Sequence, residues 1–194
     1  MRTTIKKTLL VALMFGTLIS YANENTTPTN TVDVKRVKVE YKSVKKGHAL
    51  TIKTENGLII YKQVIDSPGT YSKVFDLTNL EDGFYTTELE KDFEIHVKKI
   101  EVKNGLVTFL KKENKKIFKP VIRTEGDLLL ISKITFNKEP LKIVLYYNND
   151  VILSETVKGK ELLNRVYKLS KSERGAYKVV INTDNRTYTK DFTI

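Results

Sequence analysis

Residues 50–89 and 142–181 carry the same succession of turn, strand and glycine at a constant offset of 92 positions. The first copy runs Asn56-Gly57, Leu58-Ile59-Ile60-Tyr61, Val74-Phe75-Asp76-Leu77 and Asp82-Gly83-Phe84-Tyr85. The second runs Asn148-Asn149, Asp150-Val151-Ile152-Leu153, Val166-Tyr167-Lys168-Leu169 and Arg174-Gly175-Ala176-Tyr177. Coincidence at several points without a gap reads as one structural unit used twice, so the 194 residues are expected to build two small domains rather than one large one.

Within each copy the apolar residues alternate with polar ones, as strands with one buried face require. Val37, Val39 and Tyr41 alternate with Lys38, Glu40 and Lys42; Leu50 and Ile52 follow, and Asn56-Gly57 reads as a type I′ hairpin turn. Tyr71, Lys73, Phe75 and Leu77 share a face, which places the lysine at an open end of the sheet. Residues 141–147 are nearly all apolar and read as a central strand covered on both sides. Residues 161–166 have some helical propensity, but their partners in the first copy are rich in β formers, so residues 163–169 are expected to be a strand. Short strands bounded by turns predict an all-β fold, two tandem immunoglobulin-like β-sandwich modules.

The N-terminus has a different character. Arg2, Lys6 and Lys7 precede an apolar run over residues 9–19, and Ser20 and Ala22 are small residues suited to cleavage between Ala22 and Asn23. The run is too short for a membrane span of about 20 residues, so residues 1–22 are expected to be a cleaved signal peptide and the mature protein to lack a transmembrane segment. The expected organisation is signal peptide 1–22, polar lead-in 23–32, first module 33–110, charged linker 111–116 and second module 117–194. The expected location is outside the cytoplasm, in the periplasm, at the cell surface or secreted.

The strings FDLTNLEDGFYTTEL and YKLSKSERGAYKVVI resemble small β-sandwich modules of exported Bacteroidota proteins, both an immunoglobulin-like secreted family and the C-terminal sorting domains of the type IX secretion system. The first resemblance implies an exported β-sandwich. The second implies a cargo protein whose last module directs passage across the outer membrane. Sorting domains open on a Pro-Asn-Pro-like segment that does not occur here, and the first copy is internal, so cargo is the second reading.

Gly83 and Gly175 are expected to turn corners at positive φ, which glycine enters without a Cβ penalty. Tyr85 and Tyr177, two residues later, are expected to face the core and bond backbone near the corner, as the tyrosine corner of immunoglobulin-like sandwiches does. No catalytic, cofactor-binding or metal-binding residue is assigned, and the chain is not expected to be an enzyme. It has no cysteine, and its only histidines, His48 and His96, have no neighbours at metal-ligand spacing and are expected in exposed positions or loops. No Gly-x-Ser-x-Gly or phosphate-loop string occurs.

The formal charge of +11 would fall by three with the leader, to +8, drawing the protein toward anionic surfaces. The lysines nevertheless lie on almost every strand and turn, as solvated faces and protected edges do. Nucleic acid is not an expected partner. An unidentified protein or an anionic polysaccharide of the cell envelope is, with Tyr146-Tyr147 the best aromatic platform and the turns at 66–70 and 158–162 the places where the copies differ most.

Overall fold

The computed structural model describes residues 36–194 apart from 78 and 160. The signal peptide, its Ala22–Asn23 cleavage point and the lead-in lie outside the described residues. The first half forms β1 (Arg36–Val44), β2 (Ala49–Thr54), β3 (Ile59–Val64), β4 (Gly69–Asp76), β5 (Gly83–Glu90), β6 (Glu94–Lys103) and β7 (Leu106–Phe109). A 3-10 turn at Lys111–Glu113 leads to β8 (Lys115–Phe118). The second half forms β9 (Val121–Glu125), β10 (Leu128–Ile134), β11 (Leu141–Tyr147), β12 (Asp150–Val157), β13 (Leu162–Lys168), β14 (Ala176–Thr183) and β15 (Arg186–Thr193).

All pairings among the described residues are antiparallel, and the two halves repeat one strand order. In the first, β3-β2-β5-β6 form a sheet opposed by β1-β4; in the second, β12-β11-β14-β15 are opposed by β13-β10-β9. This is the C′-C-F-G sheet facing a B-E pair of an immunoglobulin-like sandwich, used twice. Each sandwich has its own core. Val37, Val39, Leu50, Ile52, Phe75 and Leu89 belong to the first, and Leu129, Ile131, Ile143, Leu145, Val179 and Ile181 to the second.

The two copies do not superimpose without a gap. Leu89 pairs with Leu50 and Ile181 pairs with Ile143, so β5 and β14 keep the offset of 92 while β2 and β11 are offset by 93. An offset of 92 would bring Lys142 to the inward position of Leu50, because a one-residue slip exchanges the faces of a strand. The second copy takes up the extra residue before β11 and returns it at the following hairpin, where Asn148 and Asn149 (φ 49° and 73°) make a two-residue turn. The first copy uses a longer connection. Gly57 alone is left-handed there (φ 83°), with its N–H bonded to the Thr54 carbonyl at 3.0 Å and a bulge between Ile52 and Lys53, so Asn56-Gly57 is not the type I′ turn expected from sequence. Type I′ geometry occurs instead at Asn104-Gly105, Asn148-Asn149 and Asp184-Asn185.

β11 buries Leu141, Ile143 and Leu145 while Lys142 is exposed, so it is covered on one side and not on both. β8 belongs with the first sandwich. It pairs with β6 from Glu94↔Phe118 to Val97↔Lys115, using the same edge of β6 that β7 uses further along. The charged stretch at 111–116 therefore runs into sheet structure, and the connection between the last strand on β6 and the first strand of the second sandwich is Lys119-Pro120. No helix among the described residues is long and apolar enough to cross a membrane.

Candidate functional site

Four groups of side chains stand out beyond the two cores. The first is the pair of corners before β5 and β14. The Tyr85 hydroxyl donates to the Glu81 carbonyl at 2.8 Å, and the Tyr177 hydroxyl donates to the Glu173 carbonyl at 2.9 Å, each reaching back four residues across its corner. Both rings are buried. The glycines differ. Gly83 has φ 156° and open space around it, whereas Gly175 is outside the left-handed region, and a Cβ there would lie 2.9 Å from Cε2 of Tyr147. The expectation of positive φ at Gly175 is therefore corrected: this position is small because an aromatic ring lies against it. That ring, Tyr147, sits 4.9 Å from Tyr177, which stacks on Phe192 at 5.5 Å, so Tyr147 is part of an aromatic cluster at the end of the second core rather than a free platform.

The second group closes the open edge of each sandwich. In the first, Lys73 on β4 donates to the Tyr61 hydroxyl at 2.6 Å and to Oε1 of Gln63 at 3.1 Å, both on β3, and its ammonium stands 4.7 Å above the Tyr61 ring. Tyr71 also donates to Gln63, at 2.9 Å. Burial beside Tyr61 pushes the Tyr71 hydroxyl up to about 12. In the second, Arg165 and Tyr167 on β13 each donate to a different oxygen of Glu155 on β12, both at 2.7 Å. Gln63 and Lys73 correspond to Glu155 and Arg165 at the offset of 92, so each sandwich is latched by an acceptor and a cation at the same place.

The third group is the histidines. His48 lies in the loop between β1 and β2, one of the two settings expected, and is buried there, whereas His96 lies within β6 and so departs from the expectation of an exposed or loop position. Nδ1 of His48 accepts the Lys45 backbone N–H at 3.1 Å, which places the ring proton on Nε2, 3.5 Å from Asp92. His96 is partly buried, with Nε2 2.5 Å from Glu94, whose other oxygen lies 3.0 Å from Lys116. Among the described residues no three potential metal-ligating side chains gather.

The fourth group lies where the sandwiches meet. Glu88 on β5 is buried and holds two cations, Lys53 of the same sheet at 2.7 Å and Arg186 of the second sandwich at 2.6 Å. Burial pushes the Glu88 carboxyl up, and the hydrogen bonds from Lys53 and Arg186 outweigh it, leaving the group below its ordinary value. Nearby, Lys133 is almost wholly buried 2.7 Å from Asp184, whose second oxygen accepts from Asn137 at 3.0 Å. Burial likewise raises the Asp184 carboxyl, and Lys133 and Asn137 bring it below the usual range. Above this ion pair opens a cleft of about 230 Å³. β8 of the first sandwich lines one side with Lys115, Lys116 and Phe118, and the β10–β11 turn lines the other with Thr135, Phe136 and Asn137. Phe118 and Phe136 meet edge to face at 5.8 Å, and Phe136 is 68% exposed. Nothing in the sequence pattern singled out this cleft, because its two sides are 15 or more residues apart in the chain and neither contains a repeat landmark.

No family profile matches the chain, and no curated protein matches it. Among solved structures it is similar to the BSP domain of a biofilm-associated protein, at 13% identity and a TM-score of 0.28, over 84% of this chain and 27% of that one. It is also similar to the human OSCAR ligand-binding domain, at 8% identity and a TM-score of 0.24, over 83% of this chain and 90% of that one. A third likeness is to native alpha-2-macroglobulin from Escherichia coli spanning domains MG0-NIE-MG1, at 8% and 0.28, over 82% of this chain and 59% of that one. The immunoglobulin-like assignment rests on the strand order and the corner geometry.

Proposed function

We propose that the chain is an exported, non-catalytic interaction protein of the cell envelope, released from residues 1–22 by cleavage between Ala22 and Asn23 and acting through its two joined sandwiches. The observation that carries the reading is the junction, where a buried carboxylate ties the sandwiches together beside a cleft lined from both. His48, His96, Glu88 and Asp184 are each engaged in contacts that hold structure, which suits presenting a surface rather than moving protons. We place the module boundary at residues 119–120, giving modules at 33–118 and 121–194, because β8 pairs with β6.

The test is fractionation of cells that make the whole chain, with both ends of the recovered protein sequenced. The expected product lies outside the cytoplasm, begins at Asn23 and keeps the second module through Ile194. Retention in the cytoplasm with Met1 in place overturns the reading. Loss of the second module from the exported product would replace it with the sorting-cargo reading.

A further inference from the structure

We infer that the cleft at the junction binds a neutral glycan, with the exposed ring of Phe136 as the face on which one sugar unit stacks. This rests on the reading of the chain as an exported interaction protein and names the class of partner. A cleft of about 230 Å³ lies below the roughly 300–1,000 Å³ typical of pockets for drug-sized ligands, which leaves room for about one pyranose ring. Its walls combine an aromatic ring with amide and carboxylate groups from Asn137, Asn185 and Glu139. Sugars present both an apolar C–H face and a fringe of hydroxyls that donate and accept, and this mixture of walls matches them.

The platform is built in advance. Thr135 is buried, its N–H bonds the Glu161 carbonyl at 2.7 Å and its hydroxyl donates to Oδ1 of Asn137 at 2.7 Å. Asn137 in turn holds Asp184, and Lys138 completes the turn in the left-handed region at φ 57°. The turn that carries Phe136 is thus fixed on both sides of the ring, and the ordering cost of binding is small. A second hollow of about 440 Å³, which contains Phe84 and Lys99, shares Lys115 with the first, so a glycan of more than one unit can continue along β8 onto the outer face of β5 and β6.

The charges decide between neutral and acidic sugars. The lysines of the two hollows are Lys99, Lys115, Lys116 and Lys133. They are matched in number by Glu55, Glu113, Glu139 and Asp184. Three of the four lysines are also held within 3.0 Å of a carboxylate: Lys99 by Glu113, Lys116 by Glu94 and Lys133 by Asp184. A polyanion would have to displace these partners and face the remaining acids, so the positive charge of the whole chain does not translate into an anion site here.

Titration calorimetry on the exported chain would use maltotriose, cellotriose, xylotriose and tri-N-acetylchitotriose as neutral probes, with polygalacturonate and heparin as acidic ones. The expected result is binding of at least one neutral trisaccharide, with a dissociation constant that changes less than twofold between about 50 and about 500 mM salt. Phe136→Ala should weaken it about tenfold or more, Phe136→Trp should retain it, and the melting temperature of both variants should stay near that of the parent because the ring is exposed. Tyr146→Ala should leave binding unchanged. Absence of any Phe136-dependent binding of a neutral probe overturns the inference, as does binding of the acidic probes alone. An exported chain that ignores every neutral probe sinks only this inference, whereas a chain found in the cytoplasm sinks the reading beneath it.

Discussion

Tyr85 and Tyr177 each donate a part-buried hydroxyl to a backbone carbonyl four residues back, and the two bonds are of nearly equal length. Replacing either tyrosine by phenylalanine removes the donor but keeps the ring, so each variant should lose about 1 kcal/mol in urea denaturation. An unchanged midpoint would show that the carbonyl is equally well served by water. The glycines separate the corners. Gly175→Ala forces Cβ against the Tyr147 ring and should cost about 1–3 kcal/mol, with much of the loss recovered by Gly175→Ala combined with Tyr147→Leu. Gly83 has no neighbour for a Cβ to meet, so no second-site change should recover what Gly83→Ala loses through its φ of 156°. These two glycines occupy identical places in the repeat, and sequence alone could not tell them apart: the difference lies in Tyr147, which reaches Gly175 from another strand.

At the level of strands, alternation of apolar and polar residues made the all-β fold legible, and the repeat made its duplication legible, because both signals follow from local backbone geometry. Register was less visible. The one-residue displacement of β11 is absorbed in two loops, and loops carry no alternation to betray it. The latches were invisible for another reason. Gln63 and Lys73, or Glu155 and Arg165, are ten residues apart on strands of opposing sheets, and only their repetition at the same offset hints that they meet. The latch in the second sandwich pairs charges in part-exposed positions, so a double-mutant cycle with Glu155→Gln and Arg165→Met should return a coupling of about 0.5–1 kcal/mol, smaller at high salt. A coupling of zero would mean that the edge is held without the ion pair, by the Tyr167–Glu155 hydrogen bond and by packing.

Residues 36–194 fall within one compact unit, and Arg186 of the second sandwich reaches across to Glu88 of the first, a carboxylate it shares with Lys53. Glu88→Ala would leave Lys53 and Arg186 facing each other without their acceptor, and should lower stability by about 2 kcal/mol or more. The same geometry makes the union sensitive to acid. In the folded chain the carboxyl groups of Glu88 and Asp184 are held below their ordinary values of 4.5 and 3.8, because the bonds from Lys53 and Arg186, and from Lys133 and Asn137, outweigh burial. For a carboxylate lowered on folding, the stabilisation is complete above the unfolded value and is lost as pH falls through the folded one. Thermal melts should therefore be flat from neutrality to about pH 5 and fall steeply below pH 4.5. Glu88→Gln, which keeps the shape and loses the charge, should start lower and show a shallower fall. If parent and variant lose the same stability between pH 5 and pH 3, Glu88 is not the group through which acid separates the sandwiches, and the Lys133–Asp184 pair beneath the cleft becomes the one to change next.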